Sequence, residues 1–171
     1  MDFDPNDPKT GKIHPRFNLW NAESLLEGYE LTKNPAYLAA ALKTARATQK
    51  LQKKNGVMYA TNFVDGKVRE DSIVGSAISF AGILWLRLYQ LGYQEFKSNI
   101  ELSLDWTLKN QFALTHPDKA LAGAFFESKT NLQPDHSVRL IVRDVATAFG
   151  LRFLADYYQA FLARANQTTK P

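Results

Sequence analysis

The stretch from Ala77 to Leu91 constrains the fold more than any other, because its only charged residue is Arg87. A helix that is apolar on nearly every side is stable only where other elements surround it. The uncharged run before Arg87 is much shorter than the roughly 20 residues that a membrane span requires. The stretch therefore predicts a helix buried at the centre of a soluble helical protein.

Apolar residues at helical spacing predict five helices, over about 19–31, 35–54, 72–91, 94–111 and 145–164. Residues that favour helix starts precede three of them: Asn18 the first, Asp71 and Ser72 the third, Asp144 the fifth. The segment 57–63 alternates as an extended strand does, and 112–143 predicts a long irregular loop.

The first two predicted helices resemble the next two in sequence, and the fifth helix begins a third copy of this helix pair. The repeat has a period of roughly 60–70 residues. Tyr29 aligns with Tyr89, and Phe149 aligns with Phe80. Links within a pair are short and links between pairs are long, and long links are usually functional. In a ring of antiparallel pairs the long links emerge at one rim. We therefore expect helices one, three and five to form an inner wall, with their positive ends at that rim.

Composition excludes several classes of protein. The chain has 171 residues, 45% of them hydrophobic, which suits one folded domain rather than a disordered chain. A net charge of +4 is too small and too scattered to indicate a nucleic-acid partner. The absence of cysteine excludes disulfides, zinc–cysteine sites and thiol nucleophiles. The polar start of the sequence lacks the features of a secretory leader, so the compartment stays open between the cytoplasm and secretion with a leader removed.

A recurring pattern joins these elements: an inner helix, a short link, an outer helix that ends in Gln, and then an aromatic extended piece. The first link reads Asn-Pro-Ala-Tyr-Leu, and the extended pieces read GVMYA and GAFFE. In this pattern the chain resembles the (α/α)-toroid superfamily, over about 11–164. That superfamily includes six-hairpin glycosidases, toroidal polysaccharide lyases and uronyl epimerases.

The resemblance implies an all-α fold of antiparallel helical hairpins that form part of a toroid. The expected organisation is one domain over residues 1–171, with an irregular segment at 2–18 and a frayed tail at 166–171. Toroids of this kind close their ring with more hairpins than the two hairpins and further helix predicted here. The chain is therefore expected to be a piece of a longer enzyme, or a subunit whose ring closes by association.

The candidate site residues lie in the rim segments. Glycoside hydrolysis needs two carboxyl groups, whereas elimination from a uronate needs a base and a cation that neutralises the sugar carboxylate. The candidate acid/base residues are Asp71, Glu70 and Asp144. The candidate substrate-binding residues are Arg69, Arg143, Arg139, His14, Trp20, Tyr59 and Phe126. The alternative is structural: Asp71 and Asp144 cap helices, and the aromatic residues fill the core.

The sequence contains no phosphate-binding or dinucleotide-binding glycine motif and no closely spaced histidine pair, so neither a cofactor nor a metal is expected. The leading hypothesis is a domain that acts on polysaccharide or oligosaccharide, with uronate-rich chains as one option, by hydrolysis or elimination. The alternative is a non-catalytic helical-hairpin domain that binds a partner or completes a ring. An isoprenoid cyclase is disfavoured because no Asp-rich motif is present. The expected partner is carbohydrate, anionic in the uronate option, with neither nucleic acid nor membrane.

Overall fold

The computed structural model describes residues 6–130 and 139–162. Within them the helices are α1 (Pro15–Thr32), α2 (Pro35–Gln49), α3 (Gly75–Gln90), α4 (Lys97–Lys109) and α5 (Asp144–Tyr157). A 3₁₀ turn at Gln94–Phe96 precedes α4, and a π-helical turn at Tyr158–Leu162 follows α5. The strands are β1 (Lys12–Ile13), β2 (Tyr59–Phe63), β3 (Val68–Val74), β4 (Phe126–Thr130) and β5 (Arg139–Val142). No described helix is both long enough and apolar enough to cross a membrane.

The described strands form one antiparallel sheet in the order β1-β2-β3-β4-β5. Alternate strands of an antiparallel sheet run in the same direction, so β1, β3 and β5 are parallel to one another. Each of these strands leads into a helix: α1 follows β1 after His14, α3 follows β3 directly, and α5 follows β5 after Arg143. The three helices therefore leave the sheet in the same direction, and their N-terminal ends lie along it.

Helix α3 is the centre of the molecule, as its apolar sequence predicts. All its residues from Gly75 to Leu86 are buried, and it contacts α1, α5 and α4. Its largest side chain, Trp85, donates a hydrogen bond from Nε1 to the carbonyl oxygen of Ala45 on α2, at 3.2 Å. The burial that the sequence predicts for α3 is confirmed.

The outer helices follow their inner helices by short turns. The side chain of Asn34 accepts a hydrogen bond from the backbone N–H of Ala36, and Pro35 is the first residue of α2, as the sequence predicts. Helices α2 and α4 are joined by amide side chains, because Gln49 Nε2 donates to Asn99 Oδ1 at 2.8 Å. The described chain thus contains two complete hairpins, α1–α2 and α3–α4, followed by α5.

The expectation of an all-α fold is wrong, because the links between hairpins build a sheet. The loop predicted at 112–143 contains β4 and β5, and β3 occupies residues assigned to the start of the third helix. The backbone of these links is partly enclosed, and its N–H and C=O groups are satisfied by pairing between strands. Pairs such as Ile73 with Lys129 show the register of β3 against β4.

Three helix starts differ from the sequence prediction. Helix α1 begins at Pro15 rather than near residue 19, so the segment 2–18 is not irregular throughout. Its N-cap is His14, and the side chain of Asn18 instead donates to the carbonyl oxygen of His14. The N-cap of α3 is Val74, so neither Asp71 nor Ser72 caps it. Asp144 is the first residue of α5 rather than its N-cap. The predicted tail at 166–171 lies outside the described residues.

Candidate functional site

A buried carboxylate marks the place where the inner helices begin. Glu127 of β4 is 5% exposed, and its Oε1 accepts a hydrogen bond from Arg16 Nη1 on α1 at 2.5 Å. The same oxygen accepts from Ser76 Oγ at 2.9 Å, and Oε2 accepts from the backbone N–H of Ser76 at 3.1 Å. One side chain therefore joins the first turn of α1, the first turn of α3 and the sheet.

Local sequence explains this close approach. A Cβ on Gly75 would lie 2.1 Å from the carbonyl oxygen of Phe126, so only glycine lets β4 pass the start of α3 at this distance. The N-cap residue Val74 has no polar side chain to satisfy the free N–H groups of the first turn. Glu127 supplies the missing acceptor, and its negative charge lies at the positive end of the α3 dipole.

His14, the N-cap residue of α1 two positions before Arg16, carries a neutral imidazole. Burial, with the nearby charges of Arg16 and Lys12, lowers the pKa of His14 from 6.5 to about 4. Its ring packs edge-on against Phe17, with ring centroids 5.0 Å apart. Two buried nitrogens, His14 Nδ1 and Arg16 Nε, have no hydrogen-bond partner among the described residues. The start of α1 therefore retains two buried nitrogens with unused hydrogen-bonding capacity, one of them on the arginine that pairs with Glu127.

An aromatic row crosses the three inner helices. Trp20, Phe80 and Phe149 each lie five residues after the first residue of their helix. Trp20 stacks on Phe80 at a centroid distance of 5.8 Å, and Phe80 contacts Phe149 at 4.0 Å. Phe80 is buried, but Trp20 is 50% exposed. One face of the Trp20 ring is thus supported by the core while the ring remains open to solvent.

A charged network lies about one helical turn further along. The carboxylate of Glu23 on α1 is buried, and it accepts hydrogen bonds from Arg87 of α3 and Arg152 of α5. Arg87 also contacts Glu30, with Nη2 and Oε2 2.8 Å apart. Removal of Glu23 would leave two guanidinium groups close together, so this network fixes the spacing of the three inner helices.

The structure brings two of the predicted residues together in one pocket. Arg143 and Asp144 line a surface pocket of about 530 Å³, together with Thr147 and Leu151 of α5 and Leu114 of the preceding loop. Asp144 Oδ1 accepts a hydrogen bond from the neighbouring backbone N–H at 2.8 Å. Both residues follow β5, so they lie at the end of the sheet that faces the start of α5.

The other predicted polar residues are spread along the sheet. Arg69 is exposed on β3 opposite Thr61 of β2, and Arg139 is exposed on β5 opposite Thr130 of β4. Arg69 does not line the pocket that contains Arg143. Glu70 and Asp71 have backbone positions in the middle of β3, and their side chains lie outside those that the structure describes.

The predicted aromatic residues have different surroundings. Phe126 is buried and packs edge-on against Trp106, with centroids 5.2 Å apart, so it is a core residue. Tyr59 is half-buried on β2, and Lys53 Nζ lies 6.0 Å from its ring centroid. Among the predicted aromatic side chains, Trp20 has the ring most open to solvent.

Sequence patterns do not single out the partners that complete the site. Arg16 and Glu127 are 111 residues apart in sequence, and Glu23 and Arg152 are 129 apart. The one local signal is that Glu127 follows the apolar run Leu121–Phe126, where a carboxylate is buried only if it is paired. That signal indicates that Glu127 forms a buried ion pair, but it does not identify the residue that pairs with it.

No protein-family model matches the sequence, and no curated protein matches it. Solved structures do match. A GH76 alpha-mannanase of Bacteroides thetaiotaomicron superposes with a TM-score of 0.68 at 19% identity, covering 86% of this chain and 39% of its own. The fold is that of part of an (α/α) toroid. The resemblance seen in the sequence is thereby confirmed at the level of the fold.

Two further toroids superpose almost as well. An inactive alpha-1,6-mannanase variant of Salegentibacter sp. HEL1_6, in complex with alpha-1,6-mannotriose, has a TM-score of 0.67 at 14% identity, with 86% and 42% of the two chains covered. An unsaturated glucuronyl hydrolase of Bacillus sp. GL1 has a TM-score of 0.64 at 13% identity, with 90% and 40% covered. The chain thus spans about two fifths of the length of these toroids.

Replacing Glu127 tests its role at the start of the inner helices. Glu127→Gln removes the charge that faces Arg16 and turns an amide group toward that guanidinium. We expect the free energy of unfolding to fall by about 2–3 kcal/mol, measured by urea denaturation. Glu101→Gln, on the exposed face of α4, is the matched control and should change it by less than about 0.5 kcal/mol. Equal effects of the two substitutions would contradict the assignment.

The pKa of His14 predicts a specific acid sensitivity. The unfolded chain binds more protons at this residue than the folded chain between about pH 6.5 and about pH 4. The free energy of unfolding should therefore fall across this range, by about 2 kcal/mol for a ring that keeps some contact with solvent. His14→Phe keeps a ring without the titrating group, so it should remove this part of the pH dependence. Urea denaturation at several pH values measures it, and an unchanged pH slope in the variant would count against this burial effect.

Proposed function

We propose that the chain is a carbohydrate-active part of a toroid, with the sugar bound where the inner helices meet the sheet. The observation that carries the proposal is the exposed ring of Trp20, held on Phe80 beside the convergent starts of three helices. Flat aromatic faces bury the apolar face of a pyranose ring, and polar side chains around them bind its hydroxyl groups. The matched toroids named as mannanases and as a glucuronyl hydrolase support a carbohydrate ligand.

For the reaction we propose hydrolysis or elimination by rim carboxylates. Glu70 and Asp71 lie in β3 shortly before α3, and Asp144 is the first residue of α5. In hydrolysis, one carboxylic acid protonates the leaving oxygen while a carboxylate activates water or attacks the sugar. In elimination, a base removes the proton on the carbon next to the carboxylate of a uronate, a double bond forms to the neighbouring carbon, and the glycosidic oxygen on that carbon leaves and takes up a proton from an acid.

Exposed arginines supply the cationic groups that an acidic sugar requires. Arg69, Arg139 and Arg143 are all exposed, on or next to strands of the sheet. A guanidinium group can bind a carboxylate through two parallel hydrogen bonds, which neutralises it and fixes its orientation. We assign these three residues to substrate binding, with His14 and Tyr59 as half-buried contacts at the same rim.

A panel of oligosaccharides tests the reaction. The protein is incubated with alpha-1,6-mannotriose and with oligouronates, while new reducing ends and the ultraviolet absorbance of unsaturated uronates are followed. If Asp71 is an acid/base residue, Asp71→Asn should lower the turnover rate by roughly 100-fold or more, without a matching loss of stability. Asp105→Asn, on the exposed face of α4, is the control and should retain full activity. Absence of product with every sugar, together with absence of binding by calorimetry, would refute the proposal.

A second candidate function is ring completion by association with another copy of the chain. Helices α1 and α3 each carry a following antiparallel helix, whereas within the described residues α5 is followed only by a π-helical turn. Leu151, Tyr158 and Leu162 are each about half exposed along α5 and this turn. An apolar stripe of this kind favours a helical partner.

Light scattering over a range of protein concentrations tests this second candidate. We expect association that weakens in Leu151→Gln, because the substitution places a polar group within the apolar stripe. Leu31→Gln, which changes an 85% exposed leucine at the end of α1, is the control. A monomer at every concentration would contradict self-association.

A further inference from the structure

The three inner helices pack on one another through one repeated interface. Phe80 of α3 stacks on Trp20 of α1, and Phe149 of α5 contacts Phe80 in turn. The three rings occupy the same position, five residues after the first residue of each helix. Helix α3 thus packs on α1 with one side, which we call the packing side. With its opposite side, the receiving side, it contacts α5.

Equal positions identify the two sides that lack a helix against them within the described residues. Gly82 of α3 receives Phe153 of α5 so closely that a Cβ on Gly82 would lie 2.5 Å from the phenylalanine ring. The residue of α5 at the position of Gly82 is Leu151, which is 51% exposed. The residue of α1 at the position of Phe153 is Ser24, which is also exposed. The receiving side of α5 and the packing side of α1 are therefore both open.

These two open sides are complementary in size. Between α3 and α5 a glycine on the receiving side accommodates a phenylalanine, whereas the open sides would place a leucine against a serine. A large residue meets a small one in both cases, which is what close packing requires. The receiving side of α5 also has Tyr158 at the position of Tyr89, the residue with which α3 contacts Phe161.

The sheet shows the same pattern at its two ends. Each inner helix follows two paired extended segments: β2 and β3 precede α3, and β4 and β5 precede α5. Before α1, Asp7 pairs with Lys12 of β1 through backbone hydrogen bonds of 3.0 and 3.1 Å. Within the described residues, no strand lies on the outer side of either β5 or the Asp7 segment. Such edges are templates for pairing with another chain.

Charge is complementary at these two edges. In the register of β3 on β4, the residue directly before α3 lies opposite Ser128. Ser128 pairs in turn with the residue three positions before α5, just as Asp7 pairs with the residue three positions before α1. Asp7 therefore holds the position of Ser128. The same register would place it opposite Arg143, the residue directly before α5, of another copy, so that a carboxylate faces a guanidinium.

We infer that α5 and β5 of one copy dock on α1 and the Asp7 segment of a second copy, head to tail. The helical wall and the sheet then both continue from one copy into the next, with the packing that the chain already uses twice. At about two fifths of a matched toroid per copy, two copies fit within the ring and three do not. The expected assembly is therefore a closed dimer with two identical junctions. This inference rests on the second candidate function and specifies its interface.

The dimer has a direct consequence for Trp20. The partner's Phe149 lies against the open face of this indole, because it continues the aromatic row at the same position. The two candidate functions thus make opposite predictions, since the open face is covered either by a second copy or by a sugar. Leu31 lies outside the junction: Leu91, at the same position of α3, remains 45% exposed although α3 packs on α1.

The chain contains no cysteine, so single cysteines can map the junction by cross-linking. Ser24→Cys and Ala155→Cys place one thiol on each open side, at residues that are exposed. A mixture of the two variants, treated with a short bismaleimide, should give a cross-linked dimer, whereas neither variant alone should. Ser98→Cys, on the exposed face of α4, replaces Ser24→Cys in the matched control and should give no cross-linked dimer.

Tryptophan fluorescence follows the same junction without a cross-linker. Trp20 is 50% exposed, whereas Trp85 is 0% and Trp106 is 6% exposed, so quenching by acrylamide reports mainly on Trp20. In the absence of any sugar, quenching should weaken as the protein concentration rises into the range where light scattering shows association. Quenching that is independent of concentration while the chain associates would contradict the covering of Trp20.

The predicted register is tested by charge. Arg143→Glu places two carboxylates opposite each other at each junction, so it should weaken association by roughly tenfold in sedimentation experiments. Lys97→Glu makes the same change of charge on the exposed start of α4 and should leave association unchanged. Equal effects of the two substitutions would contradict the pairing of Arg143 with Asp7.

The cross-linking results separate this inference from both candidate functions. Cross-linking of either cysteine variant with itself, or equal cross-linking in the Ser98→Cys control, would show a different orientation. That result would overturn the inference and leave self-association standing. A monomer at every concentration would overturn the inference and the second candidate together. The carbohydrate proposal would then be judged by the sugar panel alone.

Discussion

The ion pair between Arg16 and Glu127 is the interaction on which the candidate site depends. It joins α1 to β4, and the hydrogen bonds of Ser76 to the same carboxylate bring in α3. Burying a carboxylate costs free energy unless its oxygens accept hydrogen bonds. Here they accept from a guanidinium group, a hydroxyl group and a backbone N–H at the N-terminus of a helix. Because the donors come from α1 and α3 and the carboxylate from β4, this interaction sets where these two inner helices begin relative to the sheet.

Helical periodicity predicted the parts of this fold that are local. The burial of α3, the start of α2 at Pro35 and the common rim of α1, α3 and α5 all follow from spacing and link length. The strands were harder to predict, since β4 reads Phe-Glu-Ser-Lys-Thr and only its pairing with β3 and β5 makes it a strand. A sheet assembled from three separate segments of the chain is a tertiary property, so local propensity does not predict it.

The candidate site shows the same division between local and long-range information. Trp20 could be picked from the sequence because an aromatic residue near a helix start, in a rim segment, is a local observation. Its support by Phe80, and the pairing of Glu23 with Arg152, depend on contacts between residues far apart in the chain. The equal offsets of Trp20, Phe80 and Phe149 within their helices show that the internal repeat carries this information once the helix starts are known.

The junctions between strands and inner helices have almost no spare length. One residue separates β1 from α1, none separates β3 from α3, and one separates β5 from α5. Insertions at these points would shift a whole helix, whereas the tip of the β2–β3 turn at Asp65 and Gly66 is exposed and can lengthen freely. Natural diversification of such a chain would therefore be concentrated in hairpin tips, where it changes the approach to the candidate site while the helical wall stays unchanged.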